Sequence, residues 1–271
     1  MKKFPIKLVS VLMLALLLGM LTGCGTSTTP ADTGKKETPP ESALDKIKSA
    51  GKISFAMSGK YPPFNFFNDK NELVGFDVEI GQEIAKRIGV KAEPIASEWD
   101  GLIAGLLTKK FDMILGSMAI TPERLEKVNF SDPYYRSGAQ VIVPENSPIK
   151  SPADLKGKNV GVVLGTTFET KARELGATVK TYKGDPDNFT DMVNGRLDAV
   201  VTDKIVALNA INKNKYNFKL VGDLLYTEKM GIAIRKEDTD TLNAVNKALT
   251  DMMADGTYEK ISKKWFNADI R

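Results

Sequence analysis

The stretch KKFDMIL, residues 109–115, has a counterpart in GRLDAVV, residues 195–201. In both, a basic residue or two, then a phenylalanine or leucine, then an aspartate precede an apolar run. Short uncharged runs of this kind are typical of strands that are buried on both faces of a parallel sheet. The pair therefore indicates two related units, each of which ends in a buried strand.

The segments around these two stretches follow one common order. The first unit contains KISFAMSG, GFDVEIGQEIAKRIG, VKAEPIA, WDGLIAGLLTKK and FDMILGSM, and the second contains KNVGVVLGTT, FETKARELG, ATVKTYK, NFTDMVNGR and LDAVVTDK. Each series predicts strand, helix, strand, helix, strand. In the first helix an apolar residue recurs every four positions from Phe76 to Ile88, which gives one apolar face. Two βαβαβ units predict an α/β protein with two lobes built on parallel sheets.

An arginine lies beyond one of the predicted strand ends, where ligands bind in sheets of this type. In ITPER, Thr121 and Pro122 predict a helix N-cap and first helical position, which puts Arg124 in the first turn. A cation there opposes the helix dipole at a cost of about 0.3–1 kcal/mol. Two interpretations follow: Arg124 is a solvated charge offset by Glu123, or it helps the helix start to hold an anion.

The N-terminal segment has the pattern of an exported lipoprotein. Three lysines among the first seven residues precede an uncharged run at 8–20, which is short for a membrane span and typical of a signal peptide. LTGC then resembles the lipobox of bacterial lipoproteins, which implies cleavage before Cys24 and attachment of a lipid such as palmitate to its sulfur. An ordinary signal peptide with an unmodified cysteine is the alternative. The Thr-, Ser- and Pro-rich residues 25–42 predict a disordered tether.

Composition excludes several classes of function. The chain has 271 residues, of which 42% are hydrophobic and 27% charged, as in ordinary globular proteins. Its net charge of +4 would fall to +1 on loss of the three N-terminal lysines, so we expect no nucleic-acid partner. Without histidine, Ser-His-Asp and Cys-His catalysis are excluded. The single Cys24 excludes an intrachain disulfide and a cysteine zinc site. We expect no cofactor and no metal.

Longer motifs resemble the extracytoplasmic solute-binding proteins of ABC importers for polar amino acids, family 3. They are YPPFNF, LVGFDVEIGQEIAKRIGV, WDGLIAGLLTKKFDMI, ITPER, NFSDPYY, ADLKGKNVGVVLGTT, GRLDAVVTD and ADGTYEKISKKWF. The resemblance implies the type II periplasmic-binding-protein fold, in which two hinge strands join two lobes. The implied division is a signal peptide at 1–23, a lipidated tether at 24–42, lobe 1 at 43–138 and again at 229–271, and lobe 2 with the hinge strands at 139–228. The hinge crossings are expected near 137–143 and 225–232.

The resemblance also implies the contacts that hold the ends of the ligand. Arg124 corresponds to the arginine that binds the α-carboxylate, for which a planar guanidinium is suited. Backbone groups at Gly116 and Ser117 and the turn at Thr167 would assist. Asp203 corresponds to the aspartate that receives the α-ammonium, although it could simply cap the following helix.

Contacts to the ligand's side chain follow from the same resemblance. Tyr61 and Trp99 correspond to aromatic positions that cover the side chain, although aromatic residues are usually core residues. Relatives for basic amino acids often have aspartate at the position of Ser58, and relatives for glutamine can have lysine near Val163. We therefore expect a neutral polar amino acid, with cystine a candidate, and Glu98 as a reservation because it neighbours Trp99.

The resemblance implies a monomeric, extracytoplasmic, lipid-anchored binding protein that delivers a free amino acid to an ABC permease by hinge closure. An enzyme on the same fold is the alternative, because some relatives are cyclohexadienyl dehydratases that use carboxylates in the cleft. Glu98 and Asp100 would be available for that chemistry. A sensor domain is a further alternative, which we disfavour because no transmembrane or signalling segment follows Arg271.

Overall fold

The computed structural model describes residues 41–271. The predicted signal peptide, Cys24 and most of the predicted tether lie outside these residues. Within the described part, the helices are α1 Ala43–Ala50, α2 Phe76–Ile88, α3 Leu102–Leu107, α4 Pro122–Leu125, α5 Thr167–Glu174, α6 Asp185–Val193, α7 Lys204–Asn212, α8 Thr239–Ala254 and α9 Thr257–Phe266, with 3-10 turns at Trp99–Gly101 and Pro152–Leu155. The strands are β1 Lys52–Met57, β2 Lys60–Tyr61, β3 Asn65–Phe67, β4 Leu73–Val74, β5 Lys91–Ala96, β6 Met113–Ala119, β7 Asn129–Phe130, β8 Tyr135–Pro144, β9 Asn159–Val163, β10 Thr178–Tyr182, β11 Ala199–Asp203 and β12 Phe218–Ile234.

The first βαβαβ unit consists of β1, α2, β5, α3 and β6, as the sequence predicts. Strand β1 lies between β5 and β6 and pairs with both in parallel. Helix α2 buries Phe76, Ile80 and Ile84 on the predicted apolar face. It ends at Gly89, whose left-handed φ of 88° suits a residue without a side chain.

The second unit repeats this arrangement with β9, α5, β10, α6 and β11. Strand β9 lies in the middle and pairs in parallel with β10 and β11. All five residues of β11 are buried, in agreement with the apolar run in GRLDAVVTD. Helix α7 follows directly, and Asp203 caps its start.

Two long antiparallel strands, β8 and β12, join the units. Strand β8 pairs with β11 of the second unit, and the last part of β12 pairs with β6 of the first. The strand order of the main sheet is β10-β9-β11-β8-β12-β6-β1-β5, with β7 also paired to β12, and β2-β3-β4 form a second, small sheet. The residues at which the hinge crossings are expected, 137–143 and 225–232, lie within β8 and β12, respectively.

The end of the described chain returns to the first unit, where α8 and α9 both pack against α2. An aromatic cluster fills the core there, with Phe76 in contact with the rings of Tyr134, Tyr135, Tyr258 and Phe266. Burial of one such side chain stabilises a protein by roughly 1.5–3 kcal/mol. Among residues 41–271, no helix is both long and apolar enough to cross a membrane.

Candidate ligand-binding site

A cavity of about 40 Å³ lies at the carboxyl ends of β1, β6 and β9, beside the strand β12. The sequence-predicted site residues that line it are Ser58, Tyr61, Trp99, Gly116, Ser117, Arg124 and Thr167. Asp203, the eighth predicted residue, is not among the lining residues and lies fully buried. The sequence analysis did not assign Lys60, Lys183, Asp185, Glu228 and Met230, which also line the cavity.

Arg124 occupies the helix start that the sequence predicts. The Thr121 hydroxyl accepts a hydrogen bond from the Arg124 backbone N–H at 3.3 Å, with Pro122 in the first turn. The guanidinium donates to the carbonyl oxygens of Ala119 at 2.8 Å and Gly165 at 3.4 Å. Burial lowers the pKa of Arg124, and no carboxylate of residues 41–271 lies within 4.0 Å of it. This cation can therefore hold an anion from the cavity.

Ser117 and Ser58 are held by a buried hydrogen-bond network around Asp77. Oδ2 of Asp77 accepts from the Asn65 amide at 2.7 Å and from the Ser117 hydroxyl at 2.9 Å. Oδ1 accepts from the Tyr134 hydroxyl at 2.8 Å, which in turn accepts from the Ser117 N–H at 2.9 Å. The Ser58 hydroxyl donates to Asn65 Oδ1 at 3.0 Å. The network holds Ser117 at a φ of 60°, which a non-glycine residue rarely adopts.

The sequence analysis missed this network, although Asp77 lies within the quoted motif GFDVEIGQEIAKRIG. Burial raises the pKa of Asp77 to about 6, against the opposing effect of the hydrogen bonds from Tyr134, Asn65 and Ser117. An acidic residue in the apolar face of a predicted helix is the one signal that could have indicated a buried polar group.

Asp203 caps a helix, which is one of the two roles that the sequence left open. Its Oδ1 accepts a hydrogen bond from the Ile205 N–H at 2.7 Å, which caps α7. Its Oδ2 is buried and has no hydrogen-bond partner among residues 41–271. Burial raises the pKa of Asp203 to about 7. The cap thus uses one oxygen and leaves the other available for a donor.

Two further carboxylates line the cavity. Asp185 accepts from the Asn188 amide at 3.2 Å and from the Thr202 hydroxyl at 3.1 Å, and burial raises its pKa to about 7. Burial also raises the pKa of Glu228, whose Oε2 has no hydrogen-bond partner among residues 41–271. Neither residue belongs to a sequence pattern with a recognisable chemical role.

Ion pairs at the rim of the cavity connect the two units. Lys183 lies 3.3 Å from Asp100 and 3.8 Å from Glu98, and Lys60 lies 3.2 Å from Glu98. The Trp99 indole N–H also donates to the Gly165 carbonyl at 3.3 Å. Glu98 therefore engages rim lysines and is not among the residues that line the cavity.

An aromatic surface covers one part of the cavity. The Tyr61 ring stacks on Phe64 with centroids 5.4 Å apart, and the Trp99 ring lies 5.5 Å from the Arg124 guanidinium carbon. Phe168, at the start of α5, is buried and lines the same cavity. Tyr61 and Trp99 thus serve both packing and the cavity wall.

Residues 53–268 match the family of bacterial extracellular solute-binding proteins, family 3. The chain belongs to this family. It is 40% identical over 234 residues to the L-cystine-binding protein TcyJ of Escherichia coli strain K12, which covers 85% of this chain and 88% of that protein. It is 37% identical over 231 residues to the histidine-binding periplasmic protein of Salmonella typhimurium strain LT2, with 81% of this chain and 89% of that protein covered.

Solved structures agree with this membership. The crystal structure of the ancestral amino acid-binding protein AncCDT-1, described as a precursor of cyclohexadienyl dehydratase, superposes with a TM-score of 0.79 at 40% identity. The match covers 83% of this chain and 100% of that one. The predicted family and the two-lobe α/β fold are confirmed.

Proposed function

We propose that this protein binds a free L-α-amino acid between its two lobes, outside the cytoplasm, and delivers it to an ABC permease. The observation that carries the proposal is a cation that lines the cavity, Arg124, together with a buried carboxyl group, Asp203, whose charge interacts with the lining residues Tyr61 and Glu228. Within residues 41–271, no carboxylate lies within 4.0 Å of Arg124, and one oxygen of Asp203 has no donor. A zwitterion satisfies both groups at once, with its carboxylate on the arginine and its ammonium on the aspartate.

The proposed mechanism is closure of the lobes about β8 and β12, stabilised by the ligand. A ligand that contacts both lobes shifts the population towards the closed state in proportion to its extra affinity for that state. The contacts of Trp99 and Arg124 with Gly165 and the rim ion pairs of Lys183 join the two units and so support this mechanism.

For the ligand's side chain we propose a neutral polar group, with cystine as the first candidate. Ser58 and Val163 put no charge at the two positions that resemblance associates with basic amino acids and glutamine. The aromatic wall of Tyr61 and Trp99 favours a long side chain. The likeness to the L-cystine-binding protein TcyJ supports the same candidate.

A thermal-shift screen of free L-amino acids, with cystine and ornithine included, tests the proposal. A ligand at about 100 times its dissociation constant should stabilise the protein by roughly 2.7 kcal/mol. In competition, cystine or a neutral amino acid should displace a bound reporter better than arginine or glutamate. If arginine or lysine binds tenfold more tightly, the side-chain proposal is wrong and Asp185 becomes the partner of the basic group.

A dehydratase is the second candidate, favoured by the likeness to a precursor of cyclohexadienyl dehydratase. Its carboxylates would be Glu98 and Asp100, which pair with rim lysines in this structure. Incubation with prephenate or arogenate, followed by chromatography of the products, tests it. Turnover would support the enzyme, and its absence together with tight amino-acid binding would support the transport protein.

We further propose that the mature protein is a lipid-anchored monomer. The proposal rests on LTGC and on the polar composition of 25–42. The protein should partition with membranes, and Cys24→Ser should release it or leave it unprocessed. Unmodified Cys24 in the mature protein by mass spectrometry would contradict the anchor, and light scattering checks the monomer.

We also propose that the boundaries between the lobes lie at 138/139 and 228/229. Hydrogen exchange with and without ligand tests these boundaries.

A further inference from the structure

We propose that Glu228 is a second acceptor for the α-ammonium group of the ligand and acts as a pair with Asp203. The inference rests on the proposed function and adds to it a residue that determines specificity. Two carboxylates of separate elements would then enclose one ammonium, Asp203 at the end of β11 and Glu228 on the strand β12.

The carboxyl oxygens of Asp203 and Glu228 provide the first evidence for this pair. Oδ2 of Asp203 and Oε2 of Glu228 are both buried, and neither has a hydrogen-bond partner of normal geometry among residues 41–271. The nearest donors are the hydroxyls of Ser137 and Thr167, which lower the pKa of Asp203 and of Glu228, respectively, against the larger effect of burial. A buried carboxylate oxygen without a donor costs free energy, so such atoms are rare in folded proteins. Asp185, the third acid of the site, differs because both of its oxygens accept hydrogen bonds from neighbouring side chains.

Asp203 and Glu228 also affect each other's ionisation. Burial is the main cause of the raised pKa of Asp203, and the nearby charge of Glu228 raises it further. Two buried carboxylates of this kind cannot both ionise without cost unless a cation lies between them. An ammonium group brings one positive charge and three donors, which matches the two oxygens without partners.

Arg124 is the alternative ion-pair partner for Glu228. Arg124 lies close enough for the two charges to interact, yet no ion pair within 4.0 Å joins them in the described part of the chain. The guanidinium donates instead to the carbonyls of Ala119 and Gly165. In an α-amino acid the carboxylate and the ammonium share one carbon, so Glu228 can receive the ammonium while Arg124 holds the carboxylate.

Binding should then release protons at neutral pH. In the free protein Asp203 is partly protonated near pH 7, because its pKa is about 7, and burial also raises the pKa of Glu228. The ammonium favours the ionised form of both acids, so protons leave as it binds. The other charged or titratable groups around the pair are Arg124, Asp185, Tyr61, Tyr135 and Tyr226. Of these, only Asp185 titrates near neutral pH, and Asp185→Asn isolates its contribution.

The experiment is calorimetry of the full chain near pH 7 in two buffers of different ionisation enthalpy. The probes are L-cystine, L-glutamine and L-arginine, used wherever the wild type binds them. Glu228→Gln should bind more than tenfold more weakly and release fewer protons, whereas Asp223→Asn, a matched change at an exposed position of β12, should leave both quantities unchanged. In a double-mutant cycle, the losses of binding free energy caused by Glu228→Gln and by Asp203→Asn should not add.

Two results would overturn the inference. Glu228→Gln with an affinity within twofold of the wild type and unchanged proton release shows that Glu228 does not contact the ammonium, while the proposed function stands. A wild type that binds none of the probes removes the proposed function, and this inference with it. Thermal unfolding keeps the first result interpretable, because Glu228→Gln removes a buried charge and should leave the melting temperature equal to or above that of the wild type.

Discussion

At the scale of single residues, Arg124 is a cation without an ionic partner in the described part of the chain. Arg124 opposes the dipole of its own short helix, and burial lowers its pKa. Its two hydrogen bonds go to backbone carbonyls, which do not neutralise the charge. These costs favour the prediction that Arg124 holds an anion over that of a solvated charge offset by Glu123.

Replacement of Arg124 by alanine should therefore weaken amino-acid binding far more than it alters folding. Loss of one partner of a buried charged pair costs roughly 2–5 kcal/mol, so the affinity for L-cystine should fall by more than tenfold. Calorimetry provides the measurement, and Arg196→Ala, at an exposed surface ion pair with Asp191, serves as the control. Equal affinities for the two variants would contradict the role of Arg124.

At the scale of elements, the close approach of β8 and β12 defines the connection between the lobes. Gly138 on β8 pairs with Thr227 on β12. A Cβ atom at Gly138 would lie 2.3 Å from the Tyr226 carbonyl oxygen, which is a backbone atom that cannot rotate away. Strand β12 also carries Glu228 and Met230 to the cavity, so its distance from β8 affects the geometry of the site.

Gly138→Ala should accordingly destabilise the protein and perturb binding together. Overpacking typically costs about 1–3 kcal/mol, and a clash with backbone belongs at the upper end of that range. Urea denaturation measures the loss. Gly101→Ala is the matched control, because its Cβ atom would meet nothing within 4 Å. If both variants unfold at the same urea concentration, the strands tolerate a wider separation than the structure indicates.

At the scale of the whole molecule, burial of acids makes stability depend on pH. The pKa is raised to about 6 for Asp77 and to about 7 for Asp185 and Asp203, from ordinary values near 3.8. At pH values between the ordinary pKa of each group and its raised pKa, the folded state binds more protons than the unfolded state. Their contribution to stability is complete below about pH 4 and disappears as the pH rises through about 6 to 7.

The free energy of unfolding of the ligand-free protein should therefore fall as the pH rises from about 5 to about 8. Each group contributes at most roughly 1.4 kcal/mol per pH unit. Denaturation at a series of pH values measures the slope. Asp185→Asn should reduce this slope because asparagine does not titrate, and the Thr202 hydroxyl can turn to accept a hydrogen bond from the new amide. A flat or rising profile in the wild type would contradict the burial of these acids as the dominant effect.

The sequence by itself determined the two βαβαβ units, their buried strands, and the helix start at Arg124. These features depend on periodicity, caps and apolar runs, which act over a few neighbouring residues. Resemblance to a family then added seven residues that the fold brings to one cavity.

Only the tertiary structure decided the roles of Asp77, Asp185 and Glu228. These acids lie far apart in the sequence, in segments whose local pattern assigns them no chemistry. Their surroundings form when β12 pairs with both β8 and β6 and α6 packs against β9 and β11. Removal of water by such distant contacts raises the pKa of a carboxyl group, so this part of the site could not be predicted from local sequence.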